Sequence, residues 1–160
     1  MRLARRNIRT LLIIALFAVV AMGTALPGRV TRAQAQAGWA SYLATLIKDK
    51  ATVKYGAIYG LDGAKWAATL DANPGEIANI VAGLQNKDRF ISNGIIYGGV
   101  KYMYLRNRYP DGVTGKKGPT TILIRQSTKA VVIVLSTDGA NPANITSLDF
   151  VVDDLKKKKF

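Results

Sequence analysis

The chain has 160 residues, of which 49% are hydrophobic, so it is long enough for one domain with a sizeable core. Its 23 lysines and arginines exceed its 10 acids and give a net charge of +13, which favours anionic partners. Because cysteine and histidine are absent, disulfides, thiol nucleophiles, Cys/His zinc sites and histidine-based triads are excluded. The acids are scattered and no phosphate-binding glycine motif is present, so we interpret the chain as a binding protein, not an enzyme.

The first 37 residues resemble a secretory signal. A basic start precedes an almost wholly apolar run at 11–26, and Ala33-Gln34-Ala35 and Ala35-Gln36-Ala37 both fit a small-x-small cleavage site. A membrane anchor and a mis-called start codon are the alternatives, since the run is slightly short for a bilayer span. We therefore divide the chain into an N-terminal extension at 1–37 and a domain at 38–160.

A short helix and a hairpin open this domain. Trp39, Tyr42 and Leu43 begin an apolar pattern with helical spacing. Residues 53–61 alternate as a strand does, and Asp62-Gly63 predicts a turn into a second strand that contains Trp66. The residues alone favour Trp39 and Tyr42 as core side chains, and they also allow Trp66 to be a core side chain at the end of a strand.

A structural helix follows Asn73-Pro74-Gly75-Glu76. The asparagine can cap the helix, the proline fits the first helical position, and the glutamate can close a capping box. The apolar side chains that follow at helical spacing predict a face that packs on the sheet: Ile77, Ile80, Val81 and Leu84.

Residues 90–106 are the centre of the predicted sheet. Asn93-Gly94 lies between two short apolar runs and tolerates positive φ, so it predicts a hairpin turn. Gly98-Gly99 predicts a bulge or a close backbone contact, and 100–105 a strand. Three side chains are expected to leave this sheet toward a partner: Phe90, Lys101 and Arg106.

The C-terminal third predicts a loop, two strands and a helix. The loop is expected at 107–119, the strands at 121–124 and 130–136, and the helix at about 143–158. The continuous apolar run at 131–135 predicts a central strand covered on both faces. The run Lys156–Lys159 fits compensation of the helix dipole.

Several of these motifs together resemble the profilins, nearest in appearance to amoeboid and plant-like members. Profilins bind actin monomers and proline-rich peptides. The resemblance covers 38–160 and implies an α+β fold with a central antiparallel β-sheet, N- and C-terminal helices on one face and further helices on the other. It rests on Trp39 with Tyr42, Trp66, Asn93-Gly94, Gly98-Gly99, Lys101, Arg106, Lys116-Lys117 and the last helix.

The resemblance also implies binding residues. For monomeric actin, with its acidic face, they are Phe90, Lys101, Arg106, Lys117, Lys129 and Asn144. For proline-rich proteins they are Trp39, Tyr42, Trp66, Leu155 and Phe160. For phosphoinositide membranes they are Arg106, Lys116 and Lys117. Asp154 stands where the family often has histidine or tyrosine, so an aromatic or imidazole wall of the proline-peptide site is absent at this position.

The resemblance implies a cytoplasmic, cytoskeletal protein with no cofactor, no metal and no nucleic-acid partner. Two other functions stay open at this point. One is a proline-peptide or phosphoinositide module without actin activity. The other is an exported or membrane-tethered sensor domain, for which the apolar run at 11–26 would serve as the export signal or the membrane anchor.

Overall fold

The computed structural model describes residues 32–106, 109–139 and 141–160. The predicted leader therefore lies outside the described residues as far as position 31. The helices are α1 (Arg32–Leu46), α2 (Pro74–Gln85), α3 (Asp88–Asn93) and α4 (Pro142–Lys157). The strands are β1 (Val53–Gly60), β2 (Lys65–Ala68), β3 (Ile95–Tyr97), β4 (Val100–Arg106), β5 (Gly112–Lys117), β6 (Thr120–Gln126) and β7 (Ala130–Ser136). Within the described residues, every helix is too short or too polar to cross a lipid bilayer.

The strands form one antiparallel sheet in the order β2-β1-β7-β6-β5-β4-β3. Helices α1 and α4 pack on one face, where Leu148 and Val152 join a core with Val132 and Val134. Helices α2 and α3 contribute to a second core on the opposite face. The predicted α+β fold is confirmed.

Strand β7 is the centre of both cores. All of its residues are buried, and its side chains alternate between the two faces. Val131, Ile133 and Leu135 belong to the core under α2, whereas Val132 and Val134 belong to the core under α4. A strand covered on both faces needs apolar residues at every position, and this is why the run reads as continuously apolar.

Helix α1 starts upstream of Gly38, so the predicted boundary at 37/38 falls inside a helix. Helix α2 begins as the sequence predicts. The Asn73 side chain accepts a hydrogen bond from the Gly75 N–H, and Glu76 completes the capping box by accepting from the Asn73 N–H.

Glu76 also holds the hairpin between β3 and β4. Its two carboxylate oxygens accept hydrogen bonds from the N–H groups of Gly98 and Gly99, each at 2.9 Å. These glycines form the two-residue turn, with φ of 58° and 73°. Both values are positive, which is what a tight hairpin turn of the I′ type requires. One carboxylate thus ties the start of α2 to the edge of the sheet.

We expect Glu76→Ala to lower the free energy of unfolding by about 1–2 kcal/mol, because three backbone donors lose a charged acceptor at a half-buried site. Urea denaturation measures the change. Glu76→Gln should recover part of the loss, since its amide keeps one acceptor oxygen. A loss below about 0.3 kcal/mol for Glu76→Ala would contradict a structural role for these bonds.

Three local predictions are wrong. Residues 90–106 do not form the centre of the sheet, because β3 is an edge strand and β4 lies next to it. Asn93-Gly94 is not a hairpin turn: it ends α3, and Gly94 caps that helix with φ of 73° while its N–H donates to the Phe90 carbonyl. A helix C-terminus uses positive φ just as a hairpin does, so the dipeptide fits either. Residues 112–117 are not a loop but strand β5, which pairs with β6 along its whole length and with β4 at Thr114, Gly115 and Lys116.

Candidate functional site

Four aromatic side chains meet on the face that carries α1 and α4, and we call them the aromatic cluster: Trp39, Tyr42, Trp66 and Phe160. The Trp39 and Trp66 rings are tilted against each other with centroids 4.4 Å apart. Phe160 meets both edge-on, at 5.3 Å and 6.2 Å. Trp39, Tyr42 and Trp66 are half-buried and Phe160 is 40% exposed. The cluster is therefore anchored in the core and open on its outer side.

The end of the chain is fixed beside this cluster by its backbone. The Phe160 N–H donates to the Leu155 carbonyl, and the Phe160 carbonyl accepts from the Thr128 N–H. Leu155 itself is fully buried in the core under α4. The prediction that Leu155 lines the surface with the aromatic residues is wrong, because its side chain lies beneath them.

The indole N–H groups of Trp39 and Trp66 are available donors. No hydrogen bond to a described residue uses either of them. A polyproline II segment has no internal hydrogen bonds and exposes its carbonyl oxygens. Flat rings that offer apolar faces and free N–H donors suit a ligand of this kind.

The Tyr42 edge of the cluster has a charged network. The Tyr42 hydroxyl donates to Asp154 Oδ2, and Lys158 Nζ donates to both the Tyr42 hydroxyl oxygen at 2.7 Å and Asp154 Oδ2 at 2.8 Å. Asp154 and Lys158 are separated by one turn of α4, whereas Tyr42 comes from α1. This contact between distant residues has no local sequence signal.

The protonation states of this network follow from its contacts. Burial and the bond to Asp154 raise the pKa of the Tyr42 hydroxyl, although Lys158 opposes the rise. Hydrogen bonds from Lys158 and Tyr42 hold the pKa of the Asp154 carboxyl below its usual value. The bond to Asp154 in turn raises the pKa of Lys158. At neutral pH the network is therefore a neutral phenol, a carboxylate and an ammonium group.

A second candidate surface lies between α3 and the strands β4 and β5, and we call it the lysine cleft. It encloses about 570 Å³, and its exposed residues are Ile91, Ser92, Lys101, Met103, Lys116 and Lys117. Met103 pairs directly with Lys116 across the two strands, so their side chains share one face of the sheet. Lys101 lies two residues before Met103 on that face.

Phe90 does not belong to the exposed part of this cleft. Its side chain is 3% exposed, packs against Gly83, where no room remains for a Cβ, and stacks on Tyr104 with centroids 6.2 Å apart. The prediction that Phe90 leaves the sheet toward a partner is wrong. The exposed apolar side chains are instead Ile91, which is 67% exposed, and Met103, which is 66% exposed.

Sequence reasoning missed Ile91 and Met103. A signal for Met103 was present, because Lys101, Met103 and Leu105 alternate with the inward side chains of β4. Ile91 had no such signal, since its direction depends on the short helix α3, which was not predicted.

The remaining predicted actin residues lie in different places. Asn144 is 1% exposed and internally satisfied: it donates to Ser136 Oγ and accepts from Thr52 Oγ1. Its predicted role at a surface is therefore wrong. Lys129 is exposed but follows the end of β6, whereas Lys117 precedes its start, and a seven-residue strand separates the two by roughly 20 Å. Lys129 is not brought together with the lysine cleft.

Arg106 is the last residue of β4 and pairs with Thr114 of β5. Its side chain lies outside the described part of the molecule, so its predicted role stays a prediction. Lys101, Lys116 and Lys117 are the predicted residues that the structure does bring to one surface.

The comparison with known proteins gives one family. The profilin family model matches residues 37–159. The profilin of the sea urchin Strongylocentrotus purpuratus is 32% identical over 124 residues, covering 67% of this chain and 87% of that protein. Profilin-1 of Entamoeba histolytica is 32% identical over 119 residues, covering 68% and 87%.

Solved structures agree on the fold. Acanthamoeba castellanii profilin II has a TM-score of 0.68 at 24% identity, over 76% of this chain and 99% of that one. Mouse profilin IIa, in complex with a double repeat from the FH1 domain of mDia1, has a TM-score of 0.61 at 23% identity, covering 77% and 99%. LokiProfilin2, in complex with rabbit actin, has a TM-score of 0.58 at 17% identity, covering 74% and 95%.

Proposed function

The chain belongs to the profilin family, and on this premise we propose that it binds monomeric actin through the lysine cleft and proline-rich peptides through the aromatic cluster. It acts as a binding protein and not as an enzyme. Through these two surfaces it holds actin monomers back from spontaneous nucleation, promotes their nucleotide exchange and delivers them to proline-rich elongation factors. Its place of action is the cytoplasm, at the actin cytoskeleton.

The observation that carries the actin proposal is the pair of exposed apolar side chains, Ile91 and Met103, with lysines around them. Exposed apolar area of this kind supplies binding energy when a partner covers it. Lysines at the rim of a contact attract an acidic partner and fix its orientation. A neighbour of the same fold is solved with actin, which supports actin as the partner.

The proline-peptide proposal rests on the aromatic cluster. Trp39 and Trp66 offer ring faces for proline side chains and free N–H groups for the carbonyl oxygens of a polyproline II segment. Such a segment is already extended, so it loses little conformational freedom on binding. The mouse relative solved with an FH1 repeat supports the same use of this fold.

We extend the proposal to phosphoinositide headgroups, with Arg106, Lys116 and Lys117 as the binding residues. Lys116 and Lys117 are exposed at the end of β5. Each cation near an anionic membrane contributes roughly 1 kcal/mol. Since Lys116 and Lys117 also line the lysine cleft, vesicles that contain phosphoinositides should compete with actin.

The test of the actin proposal is a titration of labelled actin monomers with the full chain. We expect micromolar affinity or better, and a loss of about tenfold in both Lys101→Glu and Arg106→Glu, because each reverses a charge at the proposed contact. Lys50→Glu reverses an exposed charge between α1 and β1 and serves as the matched control, with little expected effect.

Two outcomes would contradict this assignment. Equal affinity of Lys101→Glu, Arg106→Glu and the wild type would remove the lysine cleft from the contact. Retention on immobilised polyproline without any binding of actin would leave a proline-peptide module with no actin activity.

A further inference from the structure

The Tyr42 hydroxyl has no proton to offer to a ligand. A phenol donates one hydrogen bond, and that of Tyr42 goes to the Asp154 carboxylate, while its oxygen accepts from Lys158. Hydrogen bonds to an ionised acceptor are roughly twice as strong as those between neutral groups. A peptide carbonyl, which is neutral, does not compete well for this proton. At its Tyr42 edge the aromatic cluster therefore has no neutral donor.

Asp154 has an acceptor atom to spare. Both of its described side-chain hydrogen bonds, from Tyr42 and Lys158, end on Oδ2. Among the described residues, no donor reaches Oδ1. The Asp154 side chain is 29% exposed, so water can reach Oδ1 in the free protein. A ligand that covers this edge removes that water and must replace its hydrogen bond.

An uninterrupted proline segment cannot make this replacement, because proline has no backbone N–H. Its carbonyl oxygens can meet the indole N–H groups of Trp39 and Trp66, but they face a carboxylate at Asp154. A single non-proline residue in the segment restores one N–H donor. A cationic side chain is a poor substitute, because the exposed run Lys156–Lys159 gives this edge a positive potential.

We propose that Asp154 makes the aromatic cluster selective for proline-rich segments interrupted by a residue with a free backbone N–H, in preference to uninterrupted proline. This inference rests on the proposed binding of proline-rich peptides. Asp154 is the specificity-determining residue. One of its carboxylate oxygens accepts the hydrogen bond of the Tyr42 hydroxyl, and the other accepts a hydrogen bond from a backbone N–H of the ligand.

The experiment measures tryptophan fluorescence of the full chain during titration with two peptides of ten residues, each with an acetylated N-terminus and a methyl-ester C-terminus so that neither end carries a charge or an N–H donor. One is decaproline, and the other has alanine in place of its fifth proline. We expect the wild type to bind the alanine-containing peptide at least fivefold more tightly. In Asp154→Ala the ratio should fall to one or below, because the acceptor is lost and the Tyr42 proton is freed for a carbonyl.

Two further variants separate this effect from general changes in the helix. Asp153→Ala removes the neighbouring exposed acid, whose carboxylate lies 3.7 Å from Arg125, and should keep the wild-type ratio. In the Asp154→Ala background, Tyr42→Phe should weaken decaproline binding by about threefold or more, because it removes the donor that Asp154→Ala released.

The outcomes distinguish the inference from the function it rests on. If wild type and Asp154→Ala bind both peptides with the same ratio, the inference is overturned while the proline-binding function stands. If no variant binds either peptide, proline binding itself fails and the inference fails with it. If decaproline binds only after Asp154→Ala, the inference is supported in its strongest form.

Discussion

Met103→Glu is expected to weaken the binding of actin monomers by about 30-fold, which corresponds to about 2 kcal/mol. Met103 is 66% exposed and lies beside Lys101 and Lys116 on the uncovered face of β4 and β5. We propose that a partner covers this side chain. A glutamate there removes apolar contact area, and its charge neutralises the lysines that would attract an acidic surface.

The stability of the variant should hardly change, which makes the affinity a clean measure of the contact. An exposed position costs little when its side chain is replaced, and a glutamate opposite Lys116 forms a favourable cross-strand pair. Ala78→Glu is the matched control: it introduces the same charge at an exposed position of α2, away from the cleft, and should leave actin affinity within twofold. Unchanged affinity in Met103→Glu would exclude the lysine cleft as the actin surface.

The regular elements could be predicted because each depends on a local pattern. The capping box at Asn73 and Glu76 and the apolar stripe of α4 are determined by residues that are close in the sequence. Strand β5 was missed for the same reason. Its glycines and lysines have little intrinsic preference for a strand, and it forms because β4 and β6 offer hydrogen bonds on both sides.

The two surfaces were predictable to different degrees. The aromatic residues were found through a family resemblance that spans the chain, and the structure brings Trp39, Tyr42, Trp66 and Phe160 together. The lysine cleft shows where prediction from the sequence fails: Phe90 was predicted to be exposed, but Phe90 is buried and its neighbour Ile91 is exposed. The segment was expected to be a strand, but it forms helix α3, and a change from period 2 to period 3.6 alters which side chain is buried.

Arg125→Met is expected to lower the free energy of unfolding by about 3 kcal/mol, with a fall in Tm of roughly 5–10 °C. Arg125 is 7% exposed and pairs with three acids. Its Nε and Nη2 donate to Asp111, its Nη1 donates to Asp149 at 2.9 Å, and the exposed Asp153 lies 3.7 Å from Nη1. Its guanidinium also lies over the Tyr109 ring, 4.3 Å from the centroid. Methionine keeps much of the volume but leaves the half-buried carboxylates of Asp111 and Asp149 without this partner.

The size of this effect reflects partial burial. Removing one partner of a fully buried pair costs about 3–5 kcal/mol, and the side chains of Asp111 and Asp149 remain 25% and 31% exposed, so water offsets part of the loss. Lys156→Met is the matched control. Lys156 also donates to Asp111, but it is itself 40% exposed, and its loss should cost less than about 1 kcal/mol.

The pH dependence identifies the charge interaction as the cause. Burial raises the pKa of the Asp111 carboxyl, but hydrogen bonds from Arg125 and Lys156 outweigh burial and hold that pKa below its ordinary value. A carboxyl whose folded pKa is lowered stabilises the fold above its unfolded pKa of about 4, and this contribution is lost as the pH falls through the folded value. The Tm values of wild type and Arg125→Met should therefore differ most at pH 7 and progressively less below about pH 4.

A difference in Tm that persists unchanged in acid would mean that Arg125 acts through packing on Tyr109 and not through its ion pairs with the acids. Asp149 lies on α4, the helix that also carries Asp154. Such an outcome would therefore also mean that the ion pair between Arg125 and Asp149 is not what holds α4 in place.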